Sequence, residues 1–549
     1  MTSPILKQWA ASFSLAVCMY GNLGAAEITA KQALTAVRNW RSREFAPLGA
    51  ALGTAVRVVS THTNAADKTP VFHVVTLEGG GYVVMSADDG IQPVIAFSKE
   101  GEGAVEADSP LYAMLTRDMA GRKSAAAVRR APRGRLAVPK AGDPESPEAQ
   151  WAELLDERGG IMLKSLSSVS DTRVSPLVQS HWGQSTVGGF WGNYPCYNYY
   201  TPYGYPAGCV ATAMAQVMRY HRYPTASVPA QIVRCVVDGK YLNLSMLGGT
   251  YTWSNMVLQP DEGGDTAPSE GVRAAIGKLC YDCGVSVGMQ YASDSSSSFA
   301  NKMPEALKGT FRYASACMDS SVSESDIRNG VLANLDCGHP IIMSISGAGG
   351  HAAVADGYGF SGSARYIHLN MGWNKNGNGG YQNLWYSFPE YGSPDVNTAL
   401  GTFSYLDGIT YNIIPSSEKK FLSGRVLSAS GAPVPGAKVT CNGTTGTADS
   451  KGIYNFFWSG TASSVSATLS ATGNGWKSGE TAVTVKRSTG STPGNVWGKN
   501  IVLTQKIPYT VTLFANGGSG GTASITAYVG ETLPYGQIKP ARAGYAFQG

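Results

Sequence analysis

The sequence predicts an α+β chain that becomes all-β over residues 417–549, and three observations predict it. Apolar residues recur at helical spacing in two stretches, 30–41 and 210–220, and alternate at strand spacing in many others. The 67 Gly, 28 Tyr and 11 Trp, with only 15% charged residues, describe Gly-rich, aromatic-rich sheet structure rather than helical bundles or disorder. Beyond Ser416 the texture changes to short alternating runs separated by turn residues.

A chain of 549 residues is too long for one ordinary core, so several domains are expected. Lys plus Arg 43 against Asp plus Glu 38 gives +5, spread over the length. That balance argues against a nucleic-acid partner, which calls for a basic stripe. Lys7, an apolar run over 9–20 and the small residues Gly24, Ala25 and Ala26 describe a secretory signal over residues 1–26. The run is short for a membrane span. Cys18 faintly suggests a lipoprotein box, but Val17 is bulky where that box takes Gly or Ala. Export is expected, to the medium or the cell surface.

Residues 27–121 read as a small α+β unit: a helix over 30–41, strands over 72–77, 81–86 and 94–98, and a second helix over 110–119. Residues 122–173, rich in Ala, Arg and Pro at their start and bearing Arg129, Arg130, Arg133 and Arg135, read as an exposed linker open to cleavage. Residues 174–416 carry every feature that suggests chemistry. Residues 417–505 read as a small β-sandwich. Residues 506–549 begin a further β unit, and the chain is expected to be a piece of a longer one.

Eight cysteines follow residue 26. With one reserved for catalysis seven remain, so at least one more is unpaired. Cys280 and Cys283 have redox or metal spacing. Their segment is apolar and no second pair completes a zinc site, so buried structural cysteines are expected. No carboxylate or Cys/His cluster has metal-ligand spacing and no phosphate loop is present, so neither metal nor cofactor is expected.

The informative stretch is Ala207-Gly-Cys-Val-Ala-Thr-Ala-Met-Ala-Gln-Val-Met-Arg-Tyr220. Apolar positions 210, 214, 217 and 218 place Cys209 at or next to a helix N-terminus. Unpaired N–H groups and the helix dipole there favour the thiolate, the attacking form. A lone cysteine at a helix start is more often a small core residue, so a partner is needed. His351 supplies one, at the first position of a strand after the glycine-rich crossing 347–350 and 142 residues after Cys209. A third strand ends in Asn370, whose amide oxygen would hold the imidazole, with Trp373 shielding that bond. Upstream, Gln184 offers an amide donor for an oxyanion, alongside the Cys209 N–H. His221, at the end of the cysteine's helix, would suit the dipole as a cation.

Four words together resemble the streptopain family of papain-type cysteine peptidases from exported bacterial proteins. They are Ser180-His-Trp-Gly-Gln184, the run from Gly208 to Pro224, Gly349-Gly-His-Ala352 with Asp356-Gly357, and His368-Leu-Asn-Met-Gly-Trp373. The run from Gly79 to Asp88, followed by Pro93 to Ser98, is similar to that family's inhibitory propeptide. The resemblance spans residues 30–412 and implies a papain-like core preceded by an α+β propeptide.

It also implies Cys209 as nucleophile, His351 as base, Asn370 as the residue orienting it, and Gln184 in the oxyanion hole. Substrate contacts would come from Gly350, Trp373 and the serine loop 294–298. Which serine matches is open, with Ser297 and Ser298 the candidates. The family's second aromatic in its Asn-Trp-Gly-Trp word is Met371 here, a departure that weakens the water shield. Residues 417–505 look like a carboxypeptidase-regulatory-type module, and 506–549 are similar to Gly-Gly-bearing repeats of bacterial surface proteins.

The expected function is a secreted cysteine endopeptidase made as a zymogen. Its partners would be protein or peptide substrates and its own propeptide, with cell-surface or glycan contact through the C-terminal modules. Two rivals remain: an inactive relative acting as an adhesin, and another acyl transfer by the same Cys–His pair.

Overall fold

The computed structural model describes residues 26–546 except 45, 54, 65, 102–104, 106–108, 131–145, 157–169, 190–191, 262–265, 347–349, 374–382, 390–402, 418–419, 459–463, 487–493 and 530–539. The expected signal segment lies outside the described residues, apart from Ala26. The chain divides into two units: residues 1–331 with 338–418, and residues 332–337 with 419–549.

In the first unit, Thr29 and Gln32 cap each other's backbone groups and start helix α1 (Ala30–Arg43). Its face of Ala33, Ala36, Val37 and Trp40 is buried against an antiparallel meander. The meander runs β1 (Val56–Thr63), β2 (Pro70–Leu77), β3 (Tyr82–Ser86) and β4 (Val94–Ser98). Sequence reading missed β1, an edge strand whose polar residues blur the apolar alternation.

The reading of 122–173 as a linker is corrected in two places. Helix α2 (Pro110–Arg130) runs through its start and α3 (Pro147–Leu155) occupies its middle. Arg122 looks like a solvent residue but is buried, its Nε 2.9 Å from the Asp118 carboxylate one turn earlier. Composition does not see that pairing. Trp151 of α3 is buried beside α1 and donates to the Ile91 carbonyl at 2.9 Å; Arg43 pairs with Glu153 at 2.6 Å. Helix α3 therefore belongs structurally with the N-terminal sheet.

The rest of this unit supplies β5 (Asp171–Val174), α4 (Cys209–His221), α5 (Glu270–Ser286), β6 (Ser315–Ser320), β7 (Ile341–Ile345), β8 (His351–Ser361), β9 (Ala364–Asn370), β10 (Leu384–Ser387) and β11 (Leu406–Ile414). One sheet joins these strands to the meander in the order β1-β2-β3-β4-β10-β9-β8-β7-β11-β6, with β5 also on β8. The N-terminal meander continues this sheet through β4 on β10, where Phe97 faces Trp385 and Ala96 faces Tyr386. Helices α4 and α5 share a core with the sheet that includes Val210, Met214, Leu279, Ala352 and Val354.

The second unit holds two four-stranded sheets over one apolar core that includes Leu422, Val439, Leu469 and Leu503. A two-stranded ribbon, Pro508–Thr512 with Ser524–Tyr528, follows.

Candidate active site

Cys209 is the first residue of α4. The residue before it, Gly208, has φ +89°, and a Cβ there would fall 2.9 Å from Met289 and from the Ser296 carbonyl, so only glycine admits this entry. Burial pushes the Cys209 thiol up. The N–H groups of Ala352, Val210 and Cys209 itself pull it back down. Gln184 lies alongside: its carbonyl accepts from Ala207 N–H at 2.7 Å, and the Gly183 carbonyl accepts from Thr212 of α4 at 3.1 Å.

His351 opens β8 opposite Ile345 of β7. Its Nε2 lies 2.7 Å from the Met371 carbonyl. A carbonyl only accepts, so Nε2 carries the proton and the neutral ring keeps Nδ1 as its acceptor. Burial draws the imidazole down to about 4, and the Met371 carbonyl opposes that shift. The Trp373 ring packs against the imidazole, with centroids 4.8 Å apart and planes 32° from parallel.

Asn370 is a correction. Its side chain makes no bond to His351; its amide faces inward. Oδ1 accepts from Gly372 N–H at 3.1 Å and Gln216 Nε2 at 3.0 Å, while Nδ2 donates to the Ser180 carbonyl at 2.8 Å. The orienting acceptor is the next residue's carbonyl. Asn370 grips the N–H of the same 371–372 peptide group whose C=O holds His351, so its influence passes through one peptide plane. Gly372 has φ +67°, and a Cβ there would come 3.2 Å from Thr212. Met371 is fully buried, and its N–H donates to Asn383 Oδ1 at 3.1 Å.

Cys209, His351, Gly350, Ser297 and Ser298 line one cavity of about 370 Å³, together with Val210, Phe299, Met318, Ile345 and Asp407. The sequence-predicted residues are thereby brought together, apart from Asn370, Trp373, which packs on the His351 ring, and Gln184, which borders α4. Ser298 Oγ donates to the Val287 carbonyl at 2.7 Å, so that hydroxyl holds its own loop.

Sequence reasoning missed Gln216. It is fully buried, two turns along α4 on the same face as Cys209. Its Oε1 accepts from Ser180 Oγ at 3.0 Å and Trp182 N–H at 3.2 Å, while Nε2 reaches Asn370. It thus ties the helix of Cys209 to the Gln184 segment and to the peptide that bonds His351. A glutamine seven residues after the cysteine in an otherwise apolar helix was the available signal. Asp356, also missed, accepts from Val178 N–H at 2.9 Å and pairs with His368 at 2.6 Å.

His221 differs from expectation. Burial lowers it to about 3, so it sits neutral beside Tyr313 rather than as a cation on the helix dipole. Cys280 and Cys283 are buried in α5 as expected. Burial pushes Cys280 up to about 12 and Cys283 well above its ordinary value, which leaves both unreactive thiols.

A thiol at a helix N-terminus and an imidazole with a fixed tautomer in one cleft, with an N-terminal unit carried on the same sheet, define a cysteine peptidase. The peptidase C10 family matches residues 191–386, and the Spi protease inhibitor family matches residues 25–120. The chain thus carries a streptopain-like peptidase C10 domain and, ahead of it, a Spi-type inhibitor domain.

Streptopain of Streptococcus pyogenes serotype M28 (strain MGAS6180) is 25% identical over 316 residues, 55% of this chain and 71% of that one. The thiol protease/hemagglutinin PrtT of Porphyromonas gingivalis is 29% identical over 217 residues, 39% of this chain and 24% of that one. Among solved structures, a prointerpain A fragment from Prevotella intermedia aligns with TM-score 0.44 and 21% identity, over 66% of this chain and 100% of its own.

Proposed function

We propose that Cys209 and His351 are the reacting pair of this peptidase. His351 Nδ1 takes the thiol proton, and the resulting opposite charges offset each other, which burial penalises less than either charge alone. The Cys209 sulfur attacks the peptide carbonyl. The oxyanion is held by the Cys209 N–H and the Gln184 amide. The C–N bond then breaks as His351 returns its proton to the leaving amine. Water activated by His351 hydrolyses the thioester, releasing the acid and restoring the thiol. Gly350, Ser297, Ser298 and Trp373 would border the substrate. The observation that carries this reading is the shared cleft, with His351 held at Nε2 by the Met371 carbonyl.

The protein is proposed to be a secreted zymogen. Strand β4 on β10 supports the zymogen part of this reading, as do Ser98 Oγ on the Asn383 carbonyl at 2.5 Å and Arg122 on the Ser387 carbonyl at 2.7 Å. On this reading the inhibitory domain includes α3 and extends to residue 156. The peptidase domain would follow from about 170 to 416, with the sandwich (417–505) and the terminal β unit (506–549) making cell-surface or glycan contacts. Among the described residues no helix is long and apolar enough to cross a membrane.

The test is hydrolysis of a protein substrate with reductant, wild type against Cys209→Ala, before and after limited trypsin treatment. Activity that rises on trimming and is lost in the variant is expected. Equal activity in both proteins removes Cys209 as nucleophile.

A further inference from the structure

Where β7 runs beside β11, Ser344 faces Gly408 and Ile345 faces Leu406, leaving Asp407 as the extra residue of a β-bulge. A bulge takes one side chain out of its strand's alternation and re-aims it, and bulges gather beside active sites for that reason. Ile345 in turn faces His351. Asp407 therefore stands two strands from the base, about 10 Å across the sheet at ordinary strand spacing.

The Asp407 carboxylate accepts from Ser346 Oγ, which holds it in place, and it lines the same cavity as Cys209 and His351. Among the described lining residues it is the one carboxylate, and none is a lysine or arginine. Val210, Phe299, Met318 and Ile345 supply apolar wall around it.

We propose that Asp407 is a specificity-determining residue that selects polypeptide substrates with a lysine or arginine near the scissile bond. This rests on the reading of Cys209 and His351 as the reacting pair. The chemistry is that of a long basic side chain: its methylenes lie along apolar surface while its charged head reaches an anchored carboxylate. A neutral side chain of equal length gains only the first of these contacts. An acidic one meets repulsion.

The experiment uses the activated full chain and a set of peptides identical except for lysine, norleucine or glutamate, scanned across the positions flanking the cleaved bond. At one position the lysine peptide should exceed the norleucine peptide in kcat/KM by about fivefold, as for a partly solvated charge pair. The advantage should shrink as salt is raised. Asp407→Asn should bring the lysine-to-norleucine ratio of kcat/KM down to about one, and Asp407→Lys should transfer the advantage to glutamate. Equal lysine and norleucine rates at every position, or a lysine preference unchanged in Asp407→Asn, overturns the assignment.

A second arm needs no turnover: the same peptides are tested for protection of Cys209 from iodoacetamide. Stronger protection by lysine than by norleucine supports the assignment even if hydrolysis is absent, and absent hydrolysis would count against the peptidase reading alone. Equal protection overturns it.

Discussion

The cysteine wall and the histidine wall of the cleft are built in opposite ways. Cys209 is held largely by its neighbours in the chain: Gly208 for the entry, then a helix whose own first N–H groups face the sulfur, with the Ala352 N–H the one donor brought from a distant strand. His351 is held by groups brought from far along the chain. Its acceptor is the Met371 carbonyl 20 residues on, whose own peptide is held at the Gly372 N–H by Asn370 and whose preceding peptide is held at the Met371 N–H by Asn383. Asn370 is in turn bonded to Gln216, 154 residues earlier. A locally built group tolerates changes elsewhere in the fold, whereas a composite one fails when any remote support moves. The expectations below follow from that contrast.

The largest effect belongs to the proposed base. His351→Ala should lower hydrolysis by about 10⁴-fold with circular dichroism unchanged; a smaller loss would mean another base serves Cys209.

Acid should separate the walls next. Folding lowers His351 from 6.5 to about 4, so between those values the unfolded chain binds more protons. Its contribution is complete above pH 6.5 and lost as pH falls toward 4, of order 3 kcal/mol in all. Burial raises the Cys209 thiol above its ordinary 9.0, so its contribution is full in acid and declines only as pH rises past that value. Urea unfolding of a Cys209→Ala chain at pH 7, 5.5 and 4 should therefore show the acid loss, and adding His351→Gln should flatten it. An equal slope with and without His351 would place the acid sensitivity in other groups.

Gln216→Leu should lower kcat by about 10- to 100-fold through misplacement of the imidazole, with KM changed less than about threefold. Asn370→Leu should do the same, and the double variant should be little worse than either, since both act on one peptide group. Losses that multiply would show two independent supports. Thermal melts distinguish misplacement from unfolding.

The smallest effect is expected at Met371, which acts through its backbone. Met371→Leu should keep activity within about threefold; a larger loss would give the side chain itself a part in holding or shielding His351.

Much of the fold was legible beforehand. The helix from Cys209, the strands ending in Asn370 and beginning at His351, and three of the four N-terminal strands follow from apolar period alone. The edge strand β1 and helix α3 were not, because polar residues dilute their period and the burial of Trp151 depends on α1. Arg122 was read as solvent-facing for a related reason: only its pairing with Asp118 and the Ser387 carbonyl makes burial tolerable.

The sequence by itself determined the helix that begins at Cys209 and the strand that begins at His351, because such starts are properties of neighbouring residues. Tertiary structure alone decided which group orients His351 and where Asp407 is aimed. Both depend on sheet register and on hydrogen bonds between distant segments. A backbone carbonyl such as that of Met371 is identical at every residue, so no side chain announces which one an imidazole will meet.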